Sequence, residues 1–456
     1  MSKILIQSTI VAALGGLLFG FDTAVISGTT DDLRVVFELD QNWQGISGSF
    51  WLGFTVAIAL IGTVIGSVAV GRPADTLGRR GTLIVLAVFY FVSAIGSALA
   101  WDWLSFLLFR LLGGLAVGGA SVVSPMYIAE ISPAKFRGRL VAVTQFNIVF
   151  GILLAFFSNY VIAQLELGEG AWRWMFGVEA IPAIGFFFLL FSTPKSPRWL
   201  IAQGHIEQAR IVFEQLGTDA HRTEDEIRAI EQSLDLDHHS LKEPFFRRSY
   251  RQPIQLAVAI AMFNQLSGIN ALMYYAPHIF KMAGAGENSA LLQTVAVGGT
   301  NLLFTMLALV VIDHFGRRKL MLVGSLGYIL SLGCTAWAFY TYGTQFTPFG
   351  SAVVLVGLLV FIASHAFGQG AVIWVFISEI FPNRVRARGQ ALGSFTHWIM
   401  AALISWTFPM IADWSGGHTF AFYTLMMVLQ LVWVMLSMPE TKGIPLEEIQ
   451  KKLGIE

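Results

Sequence analysis

Gly71-Arg72-Pro73-Ala74-Asp75-Thr76-Leu77-Gly78-Arg79-Arg80 stands between two long apolar runs, and a shorter echo, Asp313-His314-Phe315-Gly316-Arg317-Arg318, stands between two others. In each copy an aspartate precedes the first arginine of a pair by four residues. A second feature is doubled at roughly the same offset: Glu130 is followed by Arg137 and Arg139, and Glu379 by Arg386 and Arg388. Two independent motifs repeated in the same order mark a duplicated half. Repeated halves in a membrane protein commonly build a site between two bodies that move against one another.

The apolar runs give the class. Hydrophobic residues make up 55% of the chain and charged residues 13%, against about 25% charged in an average soluble domain. Stretches near 20 apolar residues long, enough to cross a bilayer, fall at 4–28, 47–70, 82–100, 104–129, 140–164 and 172–193, then at 252–281, 290–312, 319–341, 350–378, 388–412 and 419–438. The sequence therefore predicts an all-α polytopic membrane protein of twelve transmembrane helices in two sets of six. The net charge of zero points to no partner, but the placement of charge is informative. Arg72, Arg79 and Arg80 follow span two; Lys135, Arg137 and Arg139 follow span four; Arg317, Arg318 and Lys319 follow span eight; Arg384, Arg386 and Arg388 follow span ten. The alternate connections are poor in Lys and Arg, which by the positive-inside rule puts both termini in the cytoplasm of a multi-pass protein.

One long polar segment separates the two sets. The expected organisation is a first six-helix bundle at 1–193, a linker at 194–251, a second bundle at 252–438 and a tail at 439–456. The linker holds roughly a third of the charged residues. Its apolar residues recur at three and four, as in Ile206-Glu207-Gln208-Ala209-Arg210-Ile211-Val212-Phe213, so it reads as short cytoplasmic amphipathic helices. Whether these touch the spans or form a solvated tether is open at this level. The apolar N-terminus has no small-residue cleavage pattern and reads as a retained first span. Cys334, the single cysteine, offers neither a disulfide nor a thiolate metal site and reads as a small packing residue. Paired glycines inside the spans, such as Gly15-Gly16 with Gly20 and Gly113-Gly114 with Gly118-Gly119, read as helix-packing positions.

Ionisable residues within the spans cannot face lipid unpaired, because each costs on the order of 2.5–3.5 kcal/mol at a helix centre. Asp22, Arg110, Glu130, Glu179 and Glu379 fall in this class. Glu130 and Glu379 lie within two turns of the arginines that follow them, which suggests an ion-pair network at helix ends. Asp22 and Arg110 belong to the outer halves of antiparallel spans and can pair. Such a pair is either a static packing device or a switchable proton site, and spacing alone leaves both open.

These residues resemble the sugar porters of the major facilitator superfamily. The resemblance covers essentially the whole chain and rests on Gly71 to Arg80, Arg110-Leu111-Leu112-Gly113-Gly114, Pro125 to Glu130 leading into Arg137-Gly138, and Pro439-Glu440-Thr441-Lys442-Gly443. It implies the major facilitator fold and alternating access between two bundles. It also implies a sugar site of Gln145, Asn264, Gln265, Asn270, Tyr274, Asn301, Gly370, Trp374, His397 and Trp398, with Phe21. Amides suit sugar hydroxyls because they donate and accept, and an indole covers the apolar face of a sugar ring. Without the resemblance, amides in an apolar helix read equally well as interhelical glue. Asp22, Arg110 and Glu179 match the pattern of proton-coupled members. The charged motifs, Asp75, Arg79, Arg80, Glu130, Arg137 and Arg139 with Asp313, Arg317, Arg318, Glu379, Arg386 and Arg388, are implied to form the cytoplasmic gate.

Four positions depart from the family pattern. Asn264 replaces the first glutamine of a pair, His397 replaces an amide, Ala371 replaces a proline after Gly370, and Lys195 replaces a glutamate in Pro194-Lys195-Ser196-Pro197-Arg198. The expected function is import of a monosaccharide, a hexose such as glucose or else xylose, by proton symport through the cell membrane. Sugar, proton and lipid are the implied partners; no cofactor, metal or nucleic acid is implied, and twelve spans suffice for a working monomer. A facilitative uniporter and a non-transporting sugar sensor are the alternatives. An enzyme is not indicated, since His365 and His397 have no intramembrane carboxylate at ligand spacing.

Overall fold

The computed structural model describes residues 2–39, 41, 45–133, 135–240, 244–382, 385–444 and 446–455, with the side chains of 220, 221, 233–240, 313, 446 and 447 outside that description. The fold is all-α. Among the described residues twelve helices are long and apolar enough to span a membrane: Lys3–Gly28, Gly48–Ala69, Gly78–Ala98, Trp103–Ile131, Arg137–Gln164, Gly168–Leu190, Arg248–Met282, Glu287–Ile312, Arg317–Tyr342, Pro348–Ile380, Arg386–Trp414 and Gly416–Leu436. They are referred to as spans one to twelve. A short helix, Thr30–Val36, follows span one, and Gly71–Thr76 carries the first charged motif.

The helices form two compact units. Met1–Thr23, Ile61–Ile152 and Phe176–Glu243 make the first; Ala24–Leu60, Leu153–Met175 and Pro244–Glu456 make the second. In the first, Tyr90, Tyr127 and Phe186 are buried at the centre of an apolar core. The linker is part of that core. Its helices Pro197–Ala202, Ile206–Gln215 and Ala220–Ser240 bury Leu200, Ile201, Val212, Phe213 and Ile227. Burying such side chains is worth roughly 1.5–3 kcal/mol each, so these helices are docked and the tether reading fails. The second unit centres on Tyr250, Ile260, Phe376, Phe381 and Val434, and takes in Ile449 from the last helix, Leu446–Lys452, and Leu453 just after it.

Breaks in the spans have local causes. Gly268 has φ +85° between Arg251–Leu266 and Ile269–Met282, a backbone that side chains rarely adopt, so span seven bends where its amides lie. Span ten passes through a π-helical turn at Ala366–Gly370 although Ala371 stands where a proline was expected. Close helix approach explains most of the paired glycines. A Cβ at Gly20 would collide with the Ile148 carbonyl, and one at Gly118 with the Thr63 carbonyl. Gly299, by contrast, faces open space. Cys334 differs from its reading as well: it is exposed, beside Leu330, Phe349 and Val356 on an apolar surface.

Candidate functional site

Span four begins with a capping box in which Asp102 accepts from the Ser105 backbone N–H. Two turns further on it brings Arg110 into the interior of the first unit. There the arginine, 1% exposed, meets Asp22, 0% exposed. Arg110 Nη1 donates to Asp22 Oδ1 at 2.7 Å and Nη2 to the Asp22 carbonyl at 3.0 Å, while the guanidinium lies 5.2 Å from the Phe176 ring centre. Gly113 leaves room for the pair: a Cβ there would stand 3.1 Å from Asp22 Oδ1. Glu179 sits at the break between Ala171–Gly177 and Ala180–Leu190, fully buried, and interacts electrostatically with both Asp22 and Arg110. Both its carboxyl oxygens, Asp22 Oδ2 and the Tyr90 hydroxyl are buried without a hydrogen-bond partner among the described residues. One cation thus faces two acids, and polar atoms left unpaired in such a place cost about 1–3 kcal/mol each. Tyr90 was not singled out in the sequence, where it is one aromatic among many in span three.

The amide cluster belongs to the second unit. Gln265 Nε2 donates to Asn264 Oδ1 at 3.1 Å and lies 3.2 Å from His397 Nε2. His397 is flanked by Trp374 and Trp398, ring centres 5.2 and 4.9 Å away. Asn301 Oδ1 accepts from Thr305 Oγ1 at 3.4 Å. Tyr274 is buried and Gly370 lies against His365. Two polar atoms in this group have no partner among the described residues, the acceptor Gln265 Oε1 and the donor Asn270 Nδ2. One open acceptor and one open donor are what a hydroxyl needs. Gln145 and Phe21 belong to the first unit, Phe21 buried and Gln145 half-buried.

The charged motifs form two matching clusters, one in each unit. Arg79 reaches Glu130 Oε1 through Nε and Nη2, both at 3.0 Å, and donates Nη1 to the Ala74 carbonyl at 2.9 Å; its contact with the exposed Asp75 is longer, 3.3 Å. Arg317 holds Glu379 through two nitrogens at 3.1 and 2.8 Å. Serine 196 and Thr441 complete the clusters by donating their hydroxyls to Glu130 and Glu379 respectively. Arg80 caps the end of span six through the carbonyls of Leu190 and Phe191, both at 3.1 Å. Arg318 treats span twelve alike, through Val434 at 3.3 Å and Met435 at 2.7 Å. The expected network of ion pairs at helix ends is present with a different partner: Arg137 donates instead to the Ala129 carbonyl at 3.0 Å, because it opens the next helix over the end of span four, and Arg139 is exposed. Arg386 and Arg388 begin span eleven, and the buried Arg386 Nε has no partner among the described residues. The side chain of Asp313 lies outside the described residues.

A further polar group, absent from the sequence reading, joins Thr30–Val36 to spans seven and eleven within the second unit. Asp31 accepts from Lys281 at 2.9 Å and lies 3.3 Å from His278 Nδ1; Arg34 pairs with Asp413 at 3.0 Å, which also takes the Ser49 hydroxyl. Burial raises the Asp31 carboxyl, but the hydrogen bonds and charges of His278 and Lys281 outweigh it and hold the group below the usual carboxylate range. For Asp32, burial with Glu287 and Asp31 pushes the carboxyl up to about 6 against the pull of Lys281.

A twelve-span protein with a buried acid–arginine pair and an incompletely satisfied amide cluster has the parts of a secondary transporter. The chain belongs to the sugar porter family of the major facilitator superfamily: the family described as "Sugar (and other) transporter" matches residues 8–453. It is 39% identical to the D-xylose-proton symporter of Escherichia coli K12, across 98% of this chain and 96% of that protein. A glucose transport protein of Synechocystis is 37% identical, with 96% and 95% covered. Among solved structures, the inward-open xylose transporter XylE from E. coli superposes with a TM-score of 0.87 at 38% identity, covering 98% of this chain and 99% of the other.

Proposed function

We propose that the protein imports a monosaccharide together with a proton across the cell membrane, with both termini on the cytoplasmic side. Relatives over the full length are named as proton symporters of xylose and arabinose and as a glucose transport protein, which supports a pentose or hexose as the sugar. The observation that carries the coupling is the trio Asp22, Arg110 and Glu179. Arg110 offsets one carboxylate, and a second negative charge buried beside it has nothing to offset it, so the trio balances when the two acids share a proton.

In this reading the proton enters Asp22 from outside, loosens its bond to Arg110 and permits the loaded carrier to change state; release inside restores the pair. Gln265 and Asn270 hold the sugar through their open acceptor and donor, with Trp374 against the ring. Asp75, Arg79 and Glu130, with Arg317 and Glu379, fix helix ends on the cytoplasmic side and set how readily that side opens. In Asp22→Asn, vesicles should lose concentrative uptake while sugar exchange continues. Accumulation that persists in this variant would remove Asp22 from the coupling. A lightly buffered vesicle that shows no pH change on sugar addition would make the protein a uniporter.

A further inference from the structure

The start of span seven and the end of span twelve border a cavity of about 740 Å³ that the transport reading leaves unused. Its volume falls within the roughly 300–1,000 Å³ typical of sites for small organic groups. Arg248, Arg251, Gln252 and Gln255 line it from one side, Trp433 and Leu436 from the other, with Leu453 and Gly454 also at its border, and no acidic residue is among the lining that the described residues provide. Arg79, Arg80, Arg317 and Arg318 are each engaged by a carboxylate or by helix-end carbonyls. The side chains of Arg248 and Arg251 make no ion pair or hydrogen bond among the described residues, and both are exposed.

Position adds to charge. Arg248 is the first residue of span seven and Leu436 the last of span twelve, so the cavity opens at the edge of the apolar layer. Leu436 is 81% exposed, a bare aliphatic group beside two bare cations. Trp433, one turn deeper, is the residue type that settles at the level of lipid headgroups. A purely aqueous anion has no use for the leucine, and a neutral lipid has none for the arginines.

We propose that this cavity binds the headgroup of an anionic phospholipid, with the two guanidiniums on phosphate oxygens, the amides of Gln252 and Gln255 on the glycerol oxygens, and Trp433 and Leu436 against the first acyl methylenes. Basic pockets between span ends are known sites for such headgroups. The inference stands apart from the transport reading, since it involves neither the sugar nor the proton.

The test uses full-length, delipidated protein in detergent, titrated separately with phosphatidylglycerol and phosphatidylcholine and followed by native mass spectrometry, with inorganic phosphate as competitor. Phosphatidylglycerol should bind preferentially. Arg248→Gln and Arg251→Gln should each weaken it about fivefold and together about thirtyfold, while Arg228→Gln, an exposed charge on the linker, should change nothing. Equal binding of both lipids, or unaltered binding in the double variant, would overturn the proposal. Displacement by inorganic phosphate at equal concentration would show a free-anion site and equally sink the lipid reading. Photoreactive phosphatidylglycerol on the unsubstituted protein gives an independent measure: label should appear within 248–259 or 433–437, and label confined elsewhere refutes the site.

Discussion

Glu440 accepts the backbone N–H of Arg317 at 2.9 Å, and its other oxygen takes that of Arg318 at 3.1 Å. A carboxylate thus caps the start of span nine, where unpaired N–H groups and the helix dipole favour negative charge. Span three starts in the same way with Gly78, Arg79 and Arg80, but the residue placed like Glu440 is Lys195, which lies 5.5 Å from the Trp199 ring. One half of the molecule has the cap and the other has a cation in its place.

Lys195→Glu should therefore raise thermal stability, by about 1 kcal/mol. Thermal unfolding in detergent at low ionic strength reads the gain, which should shrink as salt screens it. Glu440→Lys should do the reverse. An unchanged or lowered melting temperature in Lys195→Glu would mean that the two starts are not equivalent.

Removing Arg110 leaves two buried acids without a counter-charge. Arg110→Gln should cost about 3–5 kcal/mol, and adding Asp22→Asn should recover part of the loss, since a neutral amide no longer needs the guanidinium. Additive losses in denaturation of the three variants would deny the coupling.

Asp32 supplies a pH dependence of defined sign. Its folded carboxyl stands near 6, above the unfolded value of about 3.9. The cost of keeping it ionised is present in full only well above pH 6 and is relieved as pH falls through 6 towards 4. Stability relative to Asp32→Asn should thus rise on acidification, by on the order of 2 kcal/mol after allowance for its partial exposure. Asp31 acts oppositely, but its contribution is lost only below about pH 4, outside that window. A wild-type and variant difference that is flat from pH 7.5 to 4.5 would contradict the assignment.

His397 replaces an amide beside Gln265 and should set sugar affinity through it. His397→Gln should keep binding within a few-fold, whereas His397→Ala should weaken it about fivefold, the worth of one hydrogen bond of about 1 kcal/mol. Equilibrium binding of xylose and glucose to purified protein measures both; equal affinities for the alanine variant and wild type would place His397 outside the site.

The spans were legible because membrane burial imposes long apolar runs, and Asp22 and Arg110 because a charge in such a run stands out. Glu130 and Glu379 stood out for the same reason, but their partners did not. Arg79 lies 51 residues before Glu130 and Ser196 lies 66 after it, and no local pattern links groups brought together only by helix packing. Asp31 and Lys281, 250 residues apart, were invisible on the same grounds. Tyr90 was hidden differently: it lies on the buried face of span three with Leu86 and Ser93, but the exposed Val85, Val88 and Val92 on the other face are equally apolar, so no contrast in hydropathy marks which face turns inward.

The π-helical turn at Ala366–Gly370 fits one more residue into span ten than an α-helix would hold. Every side chain after it is therefore rotated by roughly 100° relative to those before it. Trp374, facing His397, and Glu379, held by Arg317, both lie beyond the turn, whereas His365 lies before it with its Nδ1 2.7 Å from the Tyr328 hydroxyl. The turn acts as a phase adjuster: one span presents its first half to one set of neighbours and its second half to another. The residue that follows the turn is open to exchange, as Ala371 in place of a proline illustrates, but the number of residues in the turn is not. Losing a single residue there would return the span to one continuous register and swing Trp374 and Glu379 off their partners together.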